Sequence, residues 1–156
     1  MLYVRFEVKG DRYLVDVATI VEVVPCVKMK AAPQAPRYIA GIMNYRGECI
    51  PVIDASMLLA GEVAQARLGT RILVCEYTHP THGGITLGVL VENALETLAF
   101  NETDFQSSGI EINAAGYLGK VAIRHGEMYQ EIALADVLPE DAYPLLFAKA
   151  DPGCVA

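Results

Sequence analysis

Hydrophobic and polar residues alternate at the start of the chain. Val4, Phe6 and Val8 share one face and Arg5 and Glu7 the other, the period-two pattern of a half-buried strand. Lys9-Gly10-Asp11-Arg12 predicts a hairpin turn, after which Tyr13, Val15 and Val17 return as a second strand with Asp16 on the opposite face. The β-branched run within Ala18–Val24 predicts a third strand after a short irregular start. Pro25, Pro33 and Pro36 punctuate a loop that ends at Arg37.

The stretch Pro36–Leu59 predicts strand, turn, strand and short helix. Tyr38, Ile39, Ile42 and Met43 surround a small Gly41, and Asn44-Tyr45-Arg46-Gly47 forms the turn, with Gly47 able to take a positive φ without steric cost. Cys49–Ile53 is a continuous apolar run, as expected of a strand covered on both faces. Pro51 lacks an N–H, which puts that strand at an edge or beside a bulge. Asp54 is the N-cap candidate for a helix carrying Met57, Leu58 and Leu59. Arg46 stands out as one arginine presented on a tight turn between two apolar strands. A rigid turn suits recognition, because little entropy is lost when its side chain is bound.

Gly61–Gly69 is polar and alanine-rich and reads as the connection to a second half. There Thr70–Tyr77 predicts a buried strand, Thr78–Gly84 an exposed loop, and Ile85–Val91 an alternating partner strand. Asn93–Phe100 reads as a third strand or an irregular one, and Asn101–Ala115 as a long loop. Tyr117–Arg124 and Met128–Leu134 predict two strands joined by His125-Gly126-Glu127. Asp136 is the cap candidate for a final helix. The apolar Tyr143, Leu145, Leu146 and Phe147 should pack back on the body, and Asp151–Ala156 should fray. The two halves echo one another. Tyr38-Ile39 with Gly41, then Gly47-Glu48, then Ile53-Asp54, recurs as Tyr117-Leu118-Gly119, Gly126-Glu127, and Leu134 with Asp136; Ile20-Val21-Glu22-Val23 is matched by Ala94-Leu95-Glu96-Thr97. The expectation is a duplicated small β-barrel, in line with many short strands separated by Gly and Pro turns.

Composition narrows the function. A net charge of −7 argues against a nucleic-acid surface, and the absence of Trp against a base-stacking platform. No apolar run approaches the ~20 residues of a bilayer-spanning helix. The first ten residues lack the apolar region of a signal peptide, so a cytoplasmic location is expected. Of the four cysteines none forms a C-x-x-C pair; Cys49 and Cys75 read as buried reduced thiols, and Cys154 lies near the tail. The chain has no G-x-S-x-G, G-x-G-x-x-G, P-loop or H-E-x-x-H motif. His79 and His82 sit in a Pro/Gly loop without a neighbouring Cys or carboxylate, which favours a solvated loop over a metal site. Glu22 and Glu96 could be an acid–base pair, but their equivalent places in the repeat favour solvated strand positions. The reading is a protein without catalytic residues, metal or cofactor.

The combination of Asp16-Val17, Ile20-Val21-Glu22-Val23, a proline-punctuated loop, Gly41, Asn44-Tyr45-Arg46-Gly47 and Pro51-Val52-Ile53-Asp54 resembles the CheW family of chemotaxis coupling proteins. The likeness runs from about Leu2 to Leu138, and the N-x-R-G turn followed by P-V-I-D is its most specific part. It implies an all-β fold of two packed SH3-like five-stranded barrels with a few short helices. One domain of residues 1–138 is expected, with subdomains at about 1–60 and 69–138, followed by a C-terminal segment 139–156. It also implies a non-catalytic adaptor that joins the cytoplasmic tip of methyl-accepting chemoreceptors to the regulatory domain of a CheA-type histidine kinase, in arrays at the inner membrane face, without inserting into the membrane. Carried over by position, Ile20, Glu22, Gly41 and Arg46 are the receptor-coupling candidates, and Thr70, Arg71 and Ile72 the kinase-contact candidates. Two departures stand out: Ala55-Ser56 follows Asp54 where the family usually has Leu-Arg, and Tyr45 replaces the usual leucine in the turn. The short N-terminus and Val23-Val24-Pro25 look more like auxiliary coupling proteins of the surface-sensing Wsp type. The residues leave two questions open. Arg46 either donates across an interface or braces its own turn, and a small-molecule-binding β-barrel is the rival to an adaptor.

Overall fold

The structure is a computed structural model that describes residues 1–79, 83–109, 119–133, 138–139 and 142–146. The readings made for Pro80, His82, the end of the 101–115 loop, Tyr117, Leu118, Leu134, Asp136, Phe147, Cys154 and the tail lie outside those residues, as do the side chains of His79 and Tyr143. Among the described residues ten strands carry the fold: β1 (Leu2–Val8), β2 (Asp11–Asp16), β3 (Ile20–Pro25), β4 (Ile39–Tyr45), β5 (Glu48–Asp54), β6 (Arg71–His79), β7 (Gly83–Ala99), β8 (Phe105–Gln106), β9 (Val121–Arg124) and β10 (Glu127–Glu131). Two short helices accompany them among the described residues, α1 (Ala55–Ala60) and α2 (Ala142–Leu146), with single 3₁₀ turns at Val17–Thr19 and Glu102–Asp104. The protein is all-β, with two subdomains.

The strands do not pair in chain order. β3, β6, the first part of β7, β5 and β4 form one subdomain, and β1, β2, the last part of β7, β10, β9 and β8 form the other. The β1–β2 hairpin therefore lies with the C-terminal strands, and the β6–β7 hairpin with β3, β4 and β5. Strand pairings cross the boundary expected at residues 60–69. The exchange is symmetric. β3 pairs antiparallel with β6 just as the end of β7 pairs with β1, and β5 runs parallel to β7 just as β10 runs parallel to β2. This is the duplication read from the sequence, with each half lending its hairpin to the other.

Three apolar clusters follow from this arrangement. Met43, Ile50, Val52, Ile72, Val74 and Leu90 fill the first subdomain. Tyr3, Leu14, Phe100, Ala122 and Tyr129 fill the second. Between them lies a shared core that includes Phe6, Val15, Ile53, Leu73, Cys75, Leu87 and Val89, closed by Leu138, Ala142 and Leu146. Burial on both faces explains the unbroken apolar run of β6: Ile72 and Val74 point into one cluster, Leu73 and Cys75 into the shared core. The same holds in β2, where Leu14 and Val15 are both buried although the alternation suggested one covered face.

Three expectations need correction. The strands anticipated at Ile85–Val91 and Asn93–Phe100 are one continuous strand, because Asn93 takes φ +52° and turns the chain without ending the ladder. Much of the loop anticipated at Thr78–Gly84 is strand, with Thr78 paired to Gly84 and His79 to Gly83; backbone pairing there needs no apolar side chains. Cys49 is exposed rather than buried. It lies at the start of β5, three residues before the parallel pairing with β7 begins at Val52. Cys75 is buried as expected, and burial pushes its thiol up to about 12. Pro51 faces Ile42 of β4 one residue before β7 joins, so its missing N–H falls where β5 still has an open edge.

Asp54 ties the first subdomain to the connection that leaves it. It is 1% exposed, caps α1 by accepting from the Met57 N–H at 3.2 Å, and accepts from the Ala64 N–H at 2.9 Å through its other oxygen. Burial is the main influence on its carboxyl and raises its pKa above the ordinary value, against three backbone N–H groups that lower it. A carboxyl raised in the folded state contributes most stability in acid and loses it as pH rises through the folded pKa. Asn keeps the shape but offers one acceptor oxygen, so Asp54→Asn is expected to cost about 1–3 kcal/mol. In paired urea titrations the parent's advantage over Asp54→Asn should be larger below about pH 4 than near pH 7.

Candidate partner-binding site

The first subdomain is an open sheet with β3 and β4 at its two edges, and the loop after β3 returns to β4. The backbone contributes an isolated bridge in which Lys30 and Ile42 exchange both hydrogen bonds, at 2.8 and 2.9 Å. Beyond it, Glu22 on β3 meets the end of β4. The Tyr45 hydroxyl donates to Glu22 Oε2 at 2.6 Å, and the Arg46 guanidinium donates to the same oxygen at 3.1 Å. The guanidinium carbon lies 5.4 Å from the Tyr45 ring centroid. Chiefly the Tyr45 hydrogen bond, and secondarily the Arg46 charge, hold the Glu22 carboxyl below its ordinary range; the same hydrogen bond raises Tyr45.

The turn that carries Arg46 has a simple local cause. Tyr45 pairs with Glu48, so only Arg46 and Gly47 remain as loop, and they take φ +50° and +86°. Two successive left-handed residues define the turn type that matches the twist of a two-residue hairpin. Asn44 fastens it by accepting from the Gly47 N–H at 2.8 Å. The sequence reading assigned a positive φ to Gly47 alone. Arg46 shares it, in a conformation that disfavours most L-residues by roughly 1 kcal/mol and that Asn or Gly fits better. Its side chain is 74% exposed, and an exposed ion pair such as that with Glu22 contributes only ~0–1 kcal/mol. The fold itself gives little reason for arginine here.

The four receptor-coupling candidates do not form one cluster. Glu22 and Arg46 touch. Gly41 is buried and serves packing: a Cβ there would lie 2.8 Å from the Lys30 carbonyl oxygen and 2.9 Å from the Met29 Cβ. A register shift between Ile20 and Glu22 separates those two residues. Ile20 pairs with Cys75 and packs on the shared core, whereas Glu22 pairs with Val74 on the other face. Among the kinase-contact candidates, Thr70 and Ile72 are buried at 1% and 0% exposure and offer no surface. Thr70 instead organises the connection, donating to the Gln65 carbonyl at 2.6 Å and accepting from the Arg67 N–H at 3.0 Å. Arg71 is half-buried and donates to the carbonyls of Thr70 and Leu68. Sequence reasoning missed Tyr45 as a partner of Glu22, and missed three exposed apolar side chains: Val21 (53%), Val23 (44%) and Leu68 (94%). The departure of Tyr45 from the usual leucine was the available signal for the first.

The arrangement offers hydrogen-bond donors and a carboxylate on an all-β scaffold of two subdomains. Among the described residues no group of three or more His, Cys, Asp or Glu could hold a metal ion, and no helix is long and apolar enough to cross a membrane. Fold and site together define an all-β module of two subdomains with an exposed candidate contact surface. Residues 2–142 match the CheW-like domain, and the chain belongs to that family. It is 22% identical over 102 residues to the chemotaxis protein CheW of Helicobacter pylori, a match covering 65% of this chain and 59% of that protein's length. It is 23% identical over 141 residues to the chemotaxis protein CheW of Rhizobium meliloti, covering 88% and 87% of the two chains. The crystal structure of the scaffolding protein TtCheW from Thermoanaerobacter tengcongensis superposes with a TM-score of 0.78 at 25% identity, covering 93% of this chain and 92% of that one.

Opposite stability outcomes should separate Gly41 from Arg46. Gly41→Ala forces a methyl group against backbone and should destabilise by about 1–3 kcal/mol. Arg46→Asn relieves a left-handed arginine while giving up a weak ion pair, and should stay within ~0.5 kcal/mol of the parent. Thermal melting of the two variants beside the parent reads both.

Proposed function

We propose that this protein is a non-catalytic adaptor that couples the cytoplasmic tip of a methyl-accepting chemoreceptor to the regulatory domain of a CheA-type histidine kinase, in a cytoplasmic array at the inner membrane face. The observation that carries this reading is Arg46. A long cationic side chain occupies a left-handed turn position better suited to Asn or Gly, and stands 74% exposed. Arginine is enriched among binding hot spots, where its planar fork of donors recognises carboxylates and carbonyls. Family membership supports the same reading, as do relatives named chemotaxis proteins and a structural neighbour described as scaffolding.

Within this reading Arg46 and Glu22 form the receptor-facing pair, Ile20 contributes from the shared-core side, and Gly41 acts indirectly by keeping Lys30 against β4. A kinase contact near the start of β6 would rest on Arg71 and the exposed Leu68, with Thr70 and Ile72 supporting them from inside. The test is direct binding to a chemoreceptor cytoplasmic-tip fragment and to the kinase regulatory domain, each measured separately. Arg46→Asn should weaken receptor binding by roughly thirtyfold, the effect of removing a hot-spot arginine worth about 2 kcal/mol. Its melting curve should match the parent's. Unchanged affinity for both fragments would overturn the proposed site.

A further inference from the structure

We propose that Tyr45 is a positioning residue for Arg46, acting through Glu22. The inference rests on the adaptor reading and assigns a specific device to it. β3 and β4 are open edges of the first subdomain, and a long exposed arginine on a two-residue turn has many conformations to lose on binding. A lone exposed ion pair holds such a side chain poorly. Glu22 by itself is a weak holder, because its side chain is 35% exposed and an exposed pair contributes little.

Tyr45 changes that. Its ring is half-buried against the core of the first subdomain, and its hydroxyl donates to Glu22 Oε2 at 2.6 Å, the length of a charge-assisted bond. The carboxylate is thereby held from its inner side. Arg46 then binds the same oxygen at 3.1 Å and leans over the Tyr45 ring. One phenol therefore steers the arginine twice, through the carboxylate and through its own face. Only one nitrogen of Arg46 is engaged in this way among the described residues, so its remaining donors are held in place and left available. The pull of the hydroxyl on Glu22 is consistent with the carboxyl lying below its ordinary range.

Leucine, the usual residue here in the family, has no hydroxyl and could not anchor Glu22. Tyr45→Phe keeps the ring and removes only the hydroxyl, which makes it the discriminating variant. In the free protein, NMR relaxation of the Arg46 Nε–H should show a more mobile side chain in Tyr45→Phe than in the parent, while the melting temperatures stay close. Binding to the receptor cytoplasmic-tip fragment should then weaken about tenfold, the low end of what a hydrogen bond to a charged group is worth. In an Arg46→Asn background, Tyr45→Phe should have a much smaller effect, limited to what the receptor gains from Glu22 itself. An equal loss in both backgrounds would mean that Tyr45 touches the partner or supports the fold, and would overturn the positioning role. Parent-like Arg46 mobility, or parent-like affinity, in Tyr45→Phe would overturn it while leaving the adaptor reading intact. If Arg46→Asn itself binds normally, the adaptor site is misassigned and the positioning role falls with it.

Discussion

β7 pairs with β6 and β5 along its first part and with β1 along its last part, and the rest of the molecule hangs on that sharing. The strand changes partners around Glu92 and Asn93. Asn93 turns the backbone through a left-handed conformation, the Ala94 N–H donates to the Gly69 carbonyl at 2.9 Å, and the β1 register shifts between Arg5 and Glu7. Asparagine tolerates that conformation better than a β-branched residue would. Without a continuous strand there, the two sheets would be joined only by loops and by the shared core. With it, each half completes the other, because the hairpin that each contributes is hydrogen-bonded into its neighbour.

This exchange also explains where the candidate site lies. A subdomain assembled from β3, β4 and β5 plus a borrowed hairpin has two ends that do not meet as a ladder. The gap between β3 and β4 is bridged by the Lys30–Ile42 backbone pair and by Glu22 with Tyr45 and Arg46. The second subdomain shows a related solution. Arg124, just before the His125-Gly126 turn, donates to the Ala99 carbonyl at 2.6 Å and stacks on Phe100 at 3.7 Å from the ring centroid. One seam is thus closed by a cation turned inward over an aromatic ring. In the other, the tyrosine turns inward and the cation is left at the surface. The same topology yields a structural arginine in one half and an exposed one in the other.

Local chemistry made much of this legible. Period-two alternation defined β1, proline spacing defined the loop before β4, and Asp54 announced α1 as its N-cap. The turns at Lys9-Gly10, Arg46-Gly47 and His125-Gly126 were readable because glycine at the second loop position suits a left-handed backbone. Resemblance at the Asn44–Gly47 turn and the strand after it led to the family and to Arg46. Misreadings fell where a residue's partners are distant. Cys49 looked buried because its neighbours are apolar, yet it lies at the strand's start, before β7 joins. Burial was equally hidden for Thr70 and Ile72, the kinase-contact candidates on either side of Arg71, which both point inward.

By itself the sequence determined the all-β class, the turn positions, the duplication and the prominence of one arginine. Each of these depends on conformational preferences within a few residues, or on a pattern repeated along the chain. Only the tertiary structure decided that the halves exchange hairpins, that a register shift parts Ile20 from Glu22, and that Tyr45 reaches Glu22 across twenty-three residues. Those outcomes depend on which strand edges meet. Edge pairing uses backbone groups that every residue except proline carries in full, so side-chain identity leaves little trace of it in one sequence.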